Sequence, residues 1–156
     1  MAVVMPDASG LREAFGRFPT GVAVITAPGG GMTANAVVSL SLEPLLVLAC
    51  FDRSARTLPL VQETRRFAVN VLGQGHEDLA RHFASKITEA EKLAAVAHRD
   101  EDGVPVLAEA LAWVVCDLER LEPGGDHEIA IGRVTALGTA EGEPLLWYRG
   151  AYRTLS

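Results

Sequence analysis

A chain of 156 residues, 49% apolar and 22% charged, has the size and composition of one soluble domain built on a single core. Its formal charge of -6 excludes nucleic acid as the main partner, which would demand a basic surface, but leaves room for a small anion held by local arginines. No apolar run has the length of a membrane span, and "MAVVMPDASG" has no basic stretch before its apolar residues, so neither membrane insertion nor a signal peptide is expected.

In "SGLREAFGRFP", Leu11, Phe15 and Phe18 recur at i, i+4 and i+7, which predicts a short amphipathic helix stopped near Pro19. "GVAVITA" is rich in β-branched residues and ends at Pro28-Gly29-Gly30-Gly31, so it reads as a strand entering a tight turn. "MTANAVVSLSL" follows as the second strand of a hairpin. In such a strand Thr33, Asn35, Ser39 and Ser41 share one face, and Ala34, Ala36, Val38 and Leu40 the other. "LLVLACF" is apolar on both faces and too short for an independent helix, which predicts a central strand.

The chain then breaks into Asp52-Arg53-Ser54-Ala55-Arg56-Thr57, with Thr57 expected to cap a helix through "LPLVQET". "RRFAVNVL" is a further strand. "HEDLARHFA" places Leu79 and Phe83 on one helical face, and "TEAEKLAAV" is a helix with Thr88 as cap and Glu91 three residues on. From Val104 the chain returns to strand-like runs, separated by turns at Pro123-Gly124-Gly125-Asp126 and Glu141-Gly142-Glu143-Pro144. Many short strands with a few helices between them predict a mostly β (α+β) fold, a small antiparallel barrel carrying helices.

Cys50 and Cys116 stand alone in apolar surroundings and read as reduced core thiols of a cytoplasmic protein. His76, His82, His98 and His127 show no metal-ligand spacing, and "PGGGMTA" lacks the dinucleotide fingerprint. Three stretches remain. The Thr33/Asn35/Ser39/Ser41 face suits a ligand with ring carbonyls and nitrogens, and equally the solvent side of a barrel strand. Arg53, Ser54, Arg56 and Thr57 precede a helix whose free N–H groups favour an anion, although a surface turn bridged by Asp52 has the same residues. In "GGDHEIAIG", Asp126 can orient His127 towards a polar or nicotinamide-type ligand, or simply cap a β-turn.

Taken in order, these stretches resemble the flavin reductase-like proteins, which carry an FMN-binding split β-barrel of Greek-key type. "FGRFPTGVAVIT" is similar to that family's opening helix and first strand, and "GMTANAVVSLSLEPLLVLACFDRSART" to its flavin-binding core. "RRFAVNVL", "LARHFA", "GDH" and "PLLWYRGAYR" resemble its later strand, helix, nicotinamide-side turn and C-terminal strands. The resemblance extends over nearly the whole chain, residues 1–156 forming a single domain.

It implies a homodimeric NAD(P)H:flavin oxidoreductase that reduces FMN or FAD with NADH or NADPH and passes reduced flavin to a separate monooxygenase. It also implies site roles. Thr33, Ala34, Asn35 and Ala36, with Ser39 and Ser41, would line the ring and ribityl chain, and Ala49, Cys50 and Phe51 would wall the ring. Arg53, Ser54, Arg56 and Thr57 would meet the phosphate. Arg81, His82 and Phe83 would close over the flavin, and His127, as catalytic residue, would face the nicotinamide with Tyr148 and Arg149. The family often has serine where this chain has Ala36 and Ala55. Each missing hydroxyl contact is worth about 0.5–1.5 kcal/mol, which fits flavin as a dissociable substrate. Two other readings remain open: a protein that holds flavin tightly and acts directly on an organic substrate, and a non-enzymatic flavin or haem carrier.

Overall fold

The computed structural model describes residues 1–156. Helix α1 (Ala8–Phe15) is capped by the Asp7 carboxylate, which accepts from the Gly10 N–H at 2.7 Å. Strands β1 (Thr20–Gly21), β2 (Ala23–Ala27), β3 (Gly30–Ala34), β4 (Val37–Leu42) and β5 (Leu45–Asp52) follow, then α2 (Thr57–Thr64) and β6 (Arg66–Val71). Helices α3 (Glu77–Ala84) and α4 (Glu89–Ala94) precede the small hairpin β7 (His98–Glu101) and β8 (Val104–Leu107). Two long strands, β9 (Ala112–Gly124) and β10 (His127–Thr139), lead to β11 (Leu146–Tyr148) and β12 (Ala151–Arg153).

Seven strands form one antiparallel sheet in the order β3-β2-β6-β9-β10-β5-β4. Its two end strands, β3 and β4, are consecutive in the chain and joined by Asn35 and Ala36 alone. The sheet therefore curls into a barrel whose seam is bridged by two residues of backbone rather than by a ladder, the split of the predicted barrel. A three-stranded sheet, β1-β11-β12, stands beside it.

The predicted hairpin forms between β2 and β3 around Pro28-Gly29, where Gly29 takes φ 100°, a conformation costly for residues with a Cβ. The single strand expected over "MTANAVVSLSL" does not form. It is cut at Asn35–Ala36, and a register shift between Ser39 and Ser41 breaks the alternation again. "LLVLACF" is an interior strand, β5, paired on both sides. Thr88 and Glu91 make the expected capping box on α4.

One core lies inside the barrel, with Ile25, Phe51, Phe67, Val69 and Cys116 buried. A second lies between the sheet and the helices, around Val24, Leu72, Phe83, Leu107 and Leu145. α1 ends at Phe15, short of the predicted stop near Pro19, so Phe18 lies beyond the helix; Leu11, Phe15 and Phe18 are each more than 60% exposed. Periodicity shows that a helix has an apolar face without showing what covers it.

Candidate flavin-binding site

Pairing of β5 with β10 brings together two turns that lie more than 70 residues apart in sequence. His127 stands opposite Asp52 and Glu128 opposite Phe51, so the basic turn and the Gly-Asp-His turn leave the same end of the sheet. The Arg53 N–H donates to the Asp126 carbonyl at 3.0 Å, and the Arg53 guanidinium pairs with Glu128 at 3.3 Å. His127 Nδ1 lies 2.7 Å from Asp126 Oδ1.

Asp52 does not bridge to an arginine. Its Oδ1 accepts from the Ser54 hydroxyl at 2.6 Å and the Ser54 N–H at 2.8 Å. Those two bonds, hydroxyl first, hold the Asp52 carboxyl below its usual range. The Ala55 N–H is taken by the Asp52 carbonyl. The backbone N–H groups of Arg56 and Thr57, at the start of α2, donate to nothing in the chain. With the Arg56 guanidinium, which donates to the Ile87 carbonyl at 2.8 Å, they form a donor set for an anion at a helix N-terminus.

The seam supplies the other half. Thr33, Ala34 and Asn35 line a cavity of about 270 Å³ with Val22, Trp147 and Tyr152. Asn35 also lines two adjoining cavities of about 420 and 580 Å³, the second reaching Phe15, Trp147 and Arg149. Arg149 takes φ 51° and anchors its N–H on the Gly16 carbonyl at 3.0 Å. The Cys50 N–H donates to the Ala36 carbonyl at 3.0 Å, which fixes the seam beside the last residues of β5. From Cys50 to Asp52 is two residues, about 7 Å along a strand. Ala36, which lines two of these apolar cavities, is thus hydrogen-bonded to a residue two positions before the basic turn. A flat ring system with a phosphorylated tail fits that arrangement.

Several expected contacts are not made. Ala49 and Phe51 are fully buried in the barrel, Phe51 edge-on to Phe67 at 6.4 Å, and only Cys50, on the opposite face, is partly open. Phe83 does not close over the cleft. It is fully buried beneath β3, where a Cβ on Gly31 would come within 2.9 Å of its ring. His82 turns to α4, with Nε2 2.9 Å from the Lys92 carbonyl. Arg81 is exposed, lies over the Tyr152 ring at 5.2 Å and pairs with Asp78 at 3.1 Å. Ala84, one turn on, is the α3 residue that lines the seam cavity.

Ser39 faces Val47 and Ser41 faces Leu46 across β4 and β5. The break at Asn35–Ala36 and the register shift between Ser39 and Ser41 mean that the two serines do not continue the Thr33–Asn35 face on which they are expected to line the ring and ribityl chain. The Thr33 hydroxyl donates to the Ala80 carbonyl. Thr57 is not the cap of α2 but its first residue. It is buried, and its hydroxyl donates to Glu89 at 2.7 Å. Tyr148 is half-buried on β11, while its neighbour Trp147 lines the cavities. Sequence reasoning missed Trp147, Tyr152, Glu89 and Lys92. The first two were signalled only by aromatic content near the C-terminus, and the last two by nothing beyond an i,i+3 charge pair.

Comparison with known proteins identifies the family. The model of the flavin reductase like domain matches residues 15–156. The chain is 36% identical over 152 residues to the NADH-dependent flavin reductase of a Rhodococcus species, covering 93% of this chain and 85% of that one. It is 39% identical over 149 residues to the reductase component of 4-hydroxyphenylacetate 3-monooxygenase from Thermus thermophilus, covering 92% and 94%. Against two Rhizobium meliloti relatives, each 39% identical, it spans 49% and 65% of their length. Among solved structures, the NADH:FAD oxidoreductase of Streptomyces globisporus superposes with a TM-score of 0.93 at 38% identity, over 100% of this chain and 98% of that one. On sequence, fold and site together, the chain belongs to the flavin reductase-like family.

Proposed function

We propose that this protein is an NAD(P)H:flavin oxidoreductase, reducing FMN or FAD and releasing it to a separate monooxygenase. The observation that supports this reading is the β5–β10 register, which brings the basic turn and the Asp126–His127 pair to the same end of the sheet. The names of the Rhodococcus, Thermus and Streptomyces relatives support the activity, NADH as a donor, and the monooxygenase partner.

Residues 1–156 act as one domain in this reading, and two copies pair. Val38, Leu40 and Leu42 on the open edge strand β4, with Leu45 paired opposite Leu42, are exposed apolar residues that a second copy would cover.

Flavin, when bound, supplies the ring that accepts hydride. The chain positions it: Asn35 offers an amide at the seam, the Arg56 and Thr57 N–H groups meet the phosphate, and Trp147 walls the cleft. A carboxylate only accepts, so in the neutral His127 ring Nδ1 carries the proton toward Asp126 and Nε2 is left as an acceptor. That nitrogen suits the carboxamide N–H of a nicotinamide. Such a site needs no acid–base dyad, since its tasks are stacking and orientation. Purified protein mixed with FMN or FAD should oxidise NADH or NADPH at a rate proportional to enzyme; no flavin-dependent oxidation with either donor would overturn the reading.

A further inference from the structure

We propose that the buried pair Glu89–Lys92 is a positioning element that locks the phosphate turn onto the cleft strand, and so sets how the two halves of a flavin nucleotide are held. The inference rests on the flavin reading above and names residues outside its binding set.

Glu89 Oε2 accepts two hydrogen bonds, from the Thr57 hydroxyl at 2.7 Å and from the Gly31 N–H at 2.9 Å. Its other oxygen pairs with Lys92 Nζ at 2.9 Å, and Lys92 Nζ also donates to the Gly31 carbonyl at 3.2 Å. Three elements that meet nowhere else through polar side chains are joined here. Thr57 opens α2 directly after the basic turn, Gly31 lies in β3 two residues before Thr33, and the pair itself belongs to α4. The side chains of Lys92 and Glu89 are only 5% and 14% exposed.

Burying an ion pair costs desolvation that its attraction seldom exceeds, so a well-packed apolar pair would serve stability as well. What an apolar pair cannot supply is a directional acceptor gripping both Thr57 and Gly31. The site is also shaped for it: a Cβ at Gly30 would collide with Glu89 Oε2, so β3 passes hard against the carboxylate. Arg56 adds a second strap on the same side through the Ile87 carbonyl. A ligand that spans cleft and turn feels any slack between them. One that occupies the cleft alone does not.

The test compares FMN with riboflavin, which lacks the phosphate, on two double variants. E89A/K92M removes the acceptor without leaving a buried lone charge. E89Q/K92M keeps one oxygen able to accept from Thr57 and Gly31. The first should raise the FMN dissociation constant and the KM for FMN about tenfold, as loss of one or two hydrogen bonds would. It should change riboflavin affinity less than threefold and kcat at saturating flavin less than twofold. The second should return FMN binding to within about twofold of the parent protein.

Wild-type FMN affinity in folded E89A/K92M, equal losses for FMN and riboflavin, or no recovery in E89Q/K92M overturns the proposal. If the double variants do not fold, Thr57→Val, a near-isosteric change that deletes only the donor, decides the matter. It should weaken FMN several-fold and spare riboflavin, and equal effects on both overturn the proposal. If the parent protein itself binds no flavin, the functional reading fails instead, and the two failures are told apart.

Discussion

Asp52 and His127 are direct partners across β5 and β10, one at the mouth of the basic turn and the other on the turn that faces it. Each is held by a neighbour on its own strand end, Asp52 by Ser54 and His127 by Asp126. The two side chains are therefore fixed independently while the strands fix their separation.

His127→Ala should raise the KM for NADH about three- to tenfold while leaving the FMN dissociation constant within about twofold, since a net hydrogen bond between neutral partners contributes about 0.5–1.5 kcal/mol. Steady-state kinetics and fluorescence titration separate the two. A loss of flavin affinity with unchanged KM for NADH would move His127 to the flavin.

Arg56→Ala should weaken FMN by about tenfold and riboflavin hardly at all, because in the proposed reading the guanidinium would meet the phosphate and no other part of the flavin. The same substitution cuts the strap to Ile87. Titrating both ligands against the folded variant checks it, and equal losses would remove Arg56 from the phosphate.

Ser54→Ala should return the Asp52 carboxyl toward its ordinary range, since the Ser54 hydroxyl is the largest cause of its depression. The sign follows from linkage. A depressed carboxylate adds stability above its unfolded pKa of about 3.9, and that contribution is lost as pH falls through the folded value. Carboxyl carbon NMR should show Asp52 titrating at higher pH in the variant, while neutral-pH stability changes little at so exposed a group.

Gly132→Ala should destabilise by about 1–3 kcal/mol, the range for an overpacked core. A Cβ there would come within 2.6 Å of the Phe67 ring and 2.7 Å of Cys116 Cβ. Thermal melts should fall by roughly 3 °C for each kcal/mol in a chain of this length. The same crowding pushes the Cys116 thiol up to about 12 through burial, so it should resist alkylation at pH 8 until the barrel opens.

Local chemistry in the sequence was a good guide wherever one residue dictates a conformation. Pro28-Gly29 gave the hairpin turn, Thr88 with Glu91 the capping box, and Gly125-Asp126 the turn before His127. The split at Asn35–Ala36 was hidden because neither residue punctuates a strand as glycine or proline does, and the break is imposed by the sheet's closure. Burial of Ala49, Phe51 and Phe83 was equally hidden. An apolar side chain reads the same whether it walls a cleft or fills a core, and only the barrel's curvature decides which face of β5 points inward. Thr57, expected as the cap of α2, is its first residue instead, and its hydroxyl serves Glu89, 32 residues away, a partner that no local pattern announces.

The two-residue link between β3 and β4 has a mechanical consequence. Everywhere else around the barrel, separating neighbouring strands would tear a row of backbone hydrogen bonds. Between β3 and β4 there is no such row to tear, and the bond from the Cys50 N–H to the Ala36 carbonyl ties the two-residue link to β5 instead. The seam is thus the stretch of wall with the fewest backbone bonds to part, and a flat ligand seated beside it would meet the barrel where it yields most readily while the rest of the staves stay fastened.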